Sequence, residues 1–201
     1  VYGPVEAEDL PRFLAAKRQA TPAMRHKRFP LRERAALVPM ELVPGMKYGL
    51  PVMAVLALLA ALLGPGAGFL ANLAHHGVLV AWAALVGVFC GAVLSPLLLP
   101  WVPGRAFATK GAIVGALFGL PAIVGAAWAL GGEPPVPSLL LAGLALMAIA
   151  LSSFLAMNFT GSSTYTSLSG VEREMRFAVP VQVGGALLGL AGWVPALILE
   201  L

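Results

Sequence analysis

This chain carries very little charge. Asp, Glu, Lys and Arg make up 11% of its 201 residues, where soluble domains have about a quarter, and hydrophobic residues make up 59%. Such a composition excludes an ordinary water-soluble domain and predicts a protein that lies in a membrane. It also argues against nucleic-acid binding, because the basic residues behind the net charge of +4 flank apolar stretches, where anionic lipid is the expected partner.

Cysteine is almost absent, since Cys90 is the only one. A single thiol excludes a disulfide within the chain and any multi-cysteine zinc or iron–sulfur site built from this chain alone. Cys90 falls near the middle of an apolar stretch, where a soft metal ion is a weak interpretation and a small buried hydrophobic residue is the ordinary one. No metal site is predicted.

Catalytic patterns are missing too. The sequence has no Ser-His-Asp pattern, no paired carboxylates in a plausible cleft, no phosphate loop and no CxxC motif, so no catalytic or cofactor-binding residue is predicted in it. Its apolar stretches lack ionisable residues. That absence argues against proton-coupled or ion-coupled transport, which places such residues within the membrane.

Five apolar stretches are long enough to cross a bilayer, whose core of about 30 Å needs about 20 residues of helix. The predicted spans cover residues 48–71, 77–102, 111–130, 138–157 and 177–199, and none of them contains Lys, Arg, Asp or Glu. The predicted fold is therefore all-α: an integral membrane bundle of five transmembrane helices preceded by short cytoplasmic and interfacial helices.

Lys and Arg alternate along the chain between the segments outside these spans. In chain order the six segments hold nine, zero, two, zero, two and zero of them. Basic segments are retained on the cytoplasmic side of a membrane. The pattern predicts a multi-pass membrane protein with the N-terminus in the cytoplasm and the C-terminus outside.

The chain is expected to consist of two parts. Residues 1–47 are interpreted as a cytoplasmic linker that follows a soluble domain, with a helix from Leu10 to about Gln19 capped by Asp9 and a second short helix after Thr21-Pro22. The linker continues into a kinked amphipathic segment, 31–46, on the inner membrane surface. Residues 48–201 are predicted to form the five-helix transmembrane domain.

Glycines predict how the spans pack, because small residues let helices approach closely inside a membrane. Gly111, Gly115 and Gly119 recur at four-residue spacing in the third span, as do Gly185 and Gly189 in the fifth. The third and fifth spans are therefore predicted to form the centre of the bundle.

The loop between the fourth and fifth spans is rich in hydroxyl groups. It is a candidate docking loop for a soluble domain, through side chains that hydrogen-bond or carry positive charge: Thr160, Ser162, Thr164, Tyr165, Thr166, Ser169, Arg173 and Arg176. The alternative is a polar connector. In either case Ser169 is interpreted as the N-cap of a helix that starts at Gly170, with Glu172 as its capping acid.

Four stretches outside the spans resemble one protein family. They are VYGPVEAEDLPRFL at 1–14, ATPAMR at 20–25, ELV at 41–43 and NFTGSSTYTSLSGVEREMR at 158–176. Together they resemble the C-terminal part of the mercury-methylating corrinoid proteins. That family is related to the large subunit of the corrinoid iron–sulfur protein of the acetyl-CoA pathway.

The resemblance implies that a cytoplasmic corrinoid domain precedes a membrane domain of five helices. The whole protein would transfer a methyl group from a methylated corrinoid of the cobalamin type to mercuric ion, forming methylmercury. A ferredoxin-like iron–sulfur partner would re-reduce the cofactor. The family's cobalt-facing cysteine motif has no counterpart in this chain, and Cys90 lies at membrane depth.

The resemblance implies that this chain lies in a prokaryotic cytoplasmic (inner) membrane. Its implied role is a membrane anchor that docks against its own corrinoid domain through the cytoplasmic loops. From the residues alone, the alternative is a structural or neutral-solute membrane subunit with no enzymatic role.

Overall fold

The computed structural model describes residues 3–25, 29–65, 68–130, 136–159 and 168–199. All regular elements within these ranges are helices, which confirms the all-α prediction. The chain divides into two compact units, residues 1–34 and 35–201. Each unit is considered by itself.

The first unit contains less helix than its sequence predicts. Helix α1 covers Leu10–Ala15 and ends before the predicted Gln19, because Lys17 and Arg18 adopt left-handed backbone angles, with φ of 53° and 61°. Asp9 stands at the N-cap of α1, as predicted, but makes no side-chain hydrogen bond there. The predicted second helix is a single 3-10 turn, Pro22–Arg25.

Five long helices follow, and each is long and apolar enough to cross a membrane. They are α2 (Leu31–Leu63), α3 (Phe69–Leu98), α4 (Phe107–Leu130), α5 (Ser138–Asn158) and α6 (Leu168–Leu199). The prediction of a multi-pass membrane protein with five spanning helices is confirmed.

The first predicted span extends too far, because 48–71 crosses the boundary between α2 and α3. Gly64 and Pro65 follow the end of α2, and a proline disfavours helical geometry in the residue before it. Asn72, in the first turn of α3, donates from Nδ2 to the carbonyl oxygens of Ala61 at 3.3 Å and Gly64 at 2.7 Å. These bonds satisfy carbonyls that the end of a helix leaves without partners.

The segment before the first span continues directly into it. Residues 31–46 are predicted to be a kinked amphipathic segment that leads into the first span, and they belong to the same helix, α2, with Pro39 and Pro44 inside it. Its placement on the membrane surface stays a prediction.

Prolines within α3 and α4 are accommodated by wide helical turns. A π-helical turn at Cys90–Leu94 precedes Pro96, and another at Gly115–Gly119 precedes Pro121. Ser95 donates from Oγ to the carbonyl oxygen of Cys90 at 2.7 Å. A side-chain hydroxyl thus satisfies a backbone carbonyl that the distorted turn leaves exposed, as membrane helices require.

Helix α5 is the centre of the bundle, so the prediction that the third and fifth spans form it is wrong. Helices α3, α4 and α6 all pack against α5. The core around it contains Leu79 of α3, Ile123 of α4, Leu140 and Leu144 of α5, and Trp193 of α6. Helix α5 therefore contacts neighbouring helices on several sides.

Four of the five predicted glycines face α5, whereas Gly119 faces Val86 and Cys90 of α3. A Cβ atom built on Gly111 would lie 2.6 Å from the backbone oxygen of Ser152, and one on Gly189 would lie 2.7 Å from that of Gly143. Only glycine allows such close backbone approach. Gly185 packs less closely against α5, because a Cβ atom built on it would lie 3.7 Å from the Cβ of Ala150.

The outer surface of the second unit is apolar. Large hydrophobic side chains on several helices are exposed, among them Leu62, Leu70, Phe89, Leu117, Leu187 and Leu188. Exposed apolar surface of this extent indicates contact with lipid rather than water.

Candidate functional site at the charged end of the bundle

The described charged residues of the second unit lie in three places: the first part of α2, the start of α4 with the loop before it, and the start of α6. They are Glu41, Lys47, Arg105, Lys110, Glu172, Arg173, Glu174 and Arg176. Contacts between these places bring them to one end of the bundle, which we call the charged end. Five of the eight are basic, so this end can attract anionic lipid or acidic protein groups.

Glu174 joins the start of α6 to the start of α4. One carboxylate oxygen, Oε1, accepts a hydrogen bond from the backbone N–H of Ala108 at 2.7 Å. Ala106, the N-cap of α4, has no side-chain cap of its own. Glu174 therefore supplies the acceptor that the first turn of α4 lacks, and its negative charge suits the positive end of the helix dipole.

Two further contacts complete the charged end. Lys110 donates from Nζ to the carbonyl oxygen of Leu99, just after the end of α3. Asn158, the last residue of α5, hydrogen-bonds the side chain of Glu41 in α2. Helices α2, α4, α5 and α6 and the residue just after α3 thus make polar contacts here.

A short chain of buried hydrogen bonds runs inward from the charged end. Gln182 of α6 donates from Nε2 to Ser153 Oγ at 2.9 Å, and Ser153 Oγ donates to the carbonyl oxygen of Ala108 at 2.9 Å. Ser152 donates from Oγ to the carbonyl oxygen of Gly111 at 2.8 Å. These bonds tie α4, α5 and α6 together below the surface.

An apolar cavity of about 610 Å³ lies between α2, α3, α5 and α6. Its apolar lining residues include Leu56, Val80, Leu144 and Met147. Its polar lining residues, Glu41, Asn158, Gln182 and Tyr48, come from the half of these helices nearer the charged end. The cavity is thus apolar over most of its surface and polar toward one end.

Most of the predicted docking loop lies outside the described residues: Thr160, Ser162, Thr164, Tyr165 and Thr166. The remaining three, Ser169, Arg173 and Arg176, are exposed in the first turns of α6. They lie at the charged end, and whether they dock a soluble domain stays a prediction.

The predicted helix cap at Ser169 is wrong. Helix α6 begins at Leu168, so Ser169 lies in its first turn and not at the N-cap. Glu172, predicted as the capping acid, instead forms an ion pair with Arg176, with 3.7 Å between Oε1 and Nη2. The side chain of Glu172 is 77% exposed and that of Arg176 is 73% exposed. An ion pair as exposed as this contributes little stability.

Cys90 is buried in α3. A Cβ atom built on Gly119 would lie 3.9 Å from its Sγ, and Cys90 packs with Val86 and Val114. The described residues contain no group of three or more His, Cys, Asp and Glu side chains that could hold a metal ion. The corrinoid that the resemblance implies belongs to a preceding domain, and it stays a prediction.

The polar residues of the cavity were not predicted from the sequence. Gln182 is the only glutamine within the five predicted spans, and an uncharged polar residue at that depth is a signal. Gln182 carries no ionisable group, so the absence of such groups from the spans says nothing about it.

Comparison of this chain with protein-family models, with curated proteins and with solved structures finds no match.

Proposed function

We propose that this chain is the membrane domain of a corrinoid-dependent methyltransferase that forms methylmercury from mercuric ion. In this proposal it anchors the cytoplasmic corrinoid domain and holds it at the inner membrane surface. The catalytic residues and the corrinoid belong to that other domain, together with contacts to the ferredoxin-like partner.

One observation carries the proposal. Two of the stretches that resemble the methyltransferase family lie far apart in sequence and meet at the charged end. Glu41 belongs to the stretch 41–43, and its hydrogen-bond partner Asn158 opens the stretch 158–176. Glu174, from the same stretch, caps α4. Residues that carry the resemblance thus build one surface.

The chemistry of this surface suits docking. Arg173 and Arg176 are exposed and can pair with carboxylates of a facing domain or with lipid phosphates. The capping bond of Glu174 and the buried Ser153 network hold the starts of α4 and α6 together. A fixed surface of this kind loses little conformational freedom when a partner binds, which favours association.

Mercury methylation by cells that carry the full gene tests the proposal. Replacing Thr160, Thr164 and Thr166 with Val changes side-chain volume little but removes three hydroxyl groups. Each polar group left without its partner at a docked interface costs about 1–3 kcal/mol, so methylmercury formation at equal membrane abundance should fall several-fold. Deleting residues 48–201 should release the corrinoid domain from the membrane fraction.

Thr109→Val is the matched control, because Thr109 is exposed at the start of α4 and lies outside the loop. It should leave methylation unchanged. Full activity of the triple variant would make the loop a connector only.

The alternative is a structural or neutral-solute subunit without an enzyme. The coding sequence upstream of Val1 distinguishes it from the methyltransferase. An upstream coding sequence in frame for a corrinoid domain with a cobalt-facing cysteine motif supports the methyltransferase. A start codon directly before Val1 contradicts it.

A further inference from the structure

Helix α2 is the most loosely packed of the five long helices. In its most apolar stretch 11% of the residues are buried, whereas the other four helices have between 28% and 56% of theirs buried. The structure describes all of residues 35–59 of α2, and none of them is buried. Residues of α2 between Glu41 and Leu56 form one side of the apolar cavity of about 610 Å³. Along this length α2 covers a cavity and does not pack closely on its neighbours.

The end of α2 farthest from the charged end is closely packed. Ala60 and Ala61 are buried, and Asn72 of α3 donates two hydrogen bonds to carbonyl oxygens at this end. A Cβ atom built on Gly77 of α3 would lie 3.2 Å from the backbone oxygen of Ala57, so the two backbones approach each other closely. This end of α2 is fixed on α3.

The half of α2 nearer the charged end makes looser contacts. A Cβ atom built on Gly45 would lie 3.6 Å from Cδ2 of Leu155 and 3.7 Å from Cγ1 of Val88. One built on Gly49 would lie 3.9 Å from Cγ2 of Val88. These neighbours are the ends of side chains and not backbone atoms, and both glycines have room for a methyl group.

Helices in a bilayer are held together by close packing and polar contacts, because lipid removes the hydrophobic force between them. The loose half of α2 has little close packing, so the hydrogen bond between the side chains of Glu41 and Asn158 contributes a large part of its attachment. Pro51 lies inside the helix, between the loose half and the fixed end. Proline lacks the N–H for one helical hydrogen bond, and helices bend most readily at such a residue.

We propose that α2 is a gate of the cavity, whose half before Pro51 swings away from α3 and α5 while residues 57–61 stay in place. The swing breaks the hydrogen bond between Glu41 and Asn158 and opens the cavity sideways to the surrounding lipid. Segments with few buried apolar contacts open at the lowest cost in free energy, so the motion is confined to this half. The gate is built from this chain's own helices and does not depend on the proposed methyltransferase.

Distances between pairs of spin labels, measured by double electron–electron resonance on the full chain in lipid nanodiscs, test the gate. Cys90→Ala first removes the native thiol. Labels at Val43 and Thr109, both exposed, report on the loose half of α2 and the start of α4. Labels at Leu62 and Trp128, also exposed, report on the fixed end. The first pair should give a distance distribution about twice as wide as the second.

Two variants shift the gate in opposite directions. Glu41→Ala removes the hydrogen bond to Asn158 and should raise the ratio of open to closed protein about five-fold, which corresponds to a bond of about 1 kcal/mol. Gly45→Ala adds a methyl group in ordinary contact with α3 and α5 and should narrow the distribution of the first pair. Met40→Ala, at an exposed position beside Glu41, is the control and should leave that distribution unchanged.

The two label pairs alone can overturn the proposal. Equal widths of their distance distributions would show that α2 is held equally at both ends and has no gate. If Glu41→Ala widened both distributions equally, the whole helix would detach, which would contradict a hinge at Pro51.

Discussion

A single methyl group added at Gly111 should force α4 away from α5. The Cβ atom of alanine there would lie 2.5 Å from the Cβ of Ala156, 2.6 Å from the backbone oxygen of Ser152 and 2.9 Å from the Cα of Ser153. Carbon atoms in contact lie about 3.5–4.0 Å apart, so the helices must separate by roughly 1 Å. Two of the three neighbours are backbone atoms, which cannot turn aside as a side chain can.

The cost of Gly111→Ala follows from two opposing effects. Overpacking of this kind costs about 1–3 kcal/mol, and the hydrogen bond from Ser152 Oγ to the carbonyl oxygen of Gly111 is weakened at a further cost of about 0.6 kcal/mol. Alanine gains at most about 1 kcal/mol in helix propensity over glycine. We expect a net loss of about 1–2 kcal/mol in the free energy of unfolding.

Steric trapping of the purified chain in bicelles measures this free energy in a bilayer-like environment. Gly125→Ala is the matched control, because Gly125 belongs to the same helix and a Cβ atom there meets nothing within 4 Å. It should be neutral or slightly stabilising. Equal free energies of unfolding for the two variants would contradict the close contact between α4 and α5 at Gly111.

Two further substitutions test the polar contacts at the two ends of the bundle. Glu174→Ala removes the cap of α4 and should lower the free energy of unfolding by about 1–2 kcal/mol. Glu172→Ala is the control. It loses only an exposed ion pair and should change the free energy of unfolding by less than about 0.5 kcal/mol. Equal effects of these two would refute the capping role. Asn72→Ala removes two bonds to the end of α2 and should cost about 1–2 kcal/mol; hydrogen exchange should then rise in the last turn of α2, and unchanged exchange would contradict the role of Asn72.

The number and type of helices were predictable, because the bilayer thickness sets a minimum apolar length that five stretches meet. Helix ends were less so. Helices α4 and α6 begin several residues before their apolar stretches, and Lys110 lies in the first turn of α4 and Arg173 in the second turn of α6. A long charged side chain at a helix end can reach the membrane surface, so the end of an apolar run does not mark the end of a helix.

The arrangement of the helices was only partly predictable. Glycine spacing identified the packing faces of α4 and α6 correctly, but spacing within one helix does not tell which partner the face meets. Helix α5 presents Gly143, Ser152 and Ser153 to its neighbours, and these residues do not form a regular four-residue repeat. The central position of α5 therefore left no simple pattern in its own sequence.

The candidate site was predictable in its charges but not in its contacts. The basic residues of the charged end follow from the alternation of Lys and Arg along the chain. The pairing of Glu41 with Asn158 and the capping of α4 by Glu174 join residues more than 60 positions apart. No local periodicity encodes such pairs, because they arise only when the helices assemble.

The side of the membrane on which the charged end lies tests the central claim most directly. Reporter enzymes fused after Gly132 and after Ser167, on the two sides of α5, show the orientation in living cells. We predict that the fusion after Gly132 is active only as a periplasmic reporter and the fusion after Ser167 only as a cytoplasmic one. The reverse result would place the charged end outside the cell, where it could not hold a cytoplasmic methyltransferase domain.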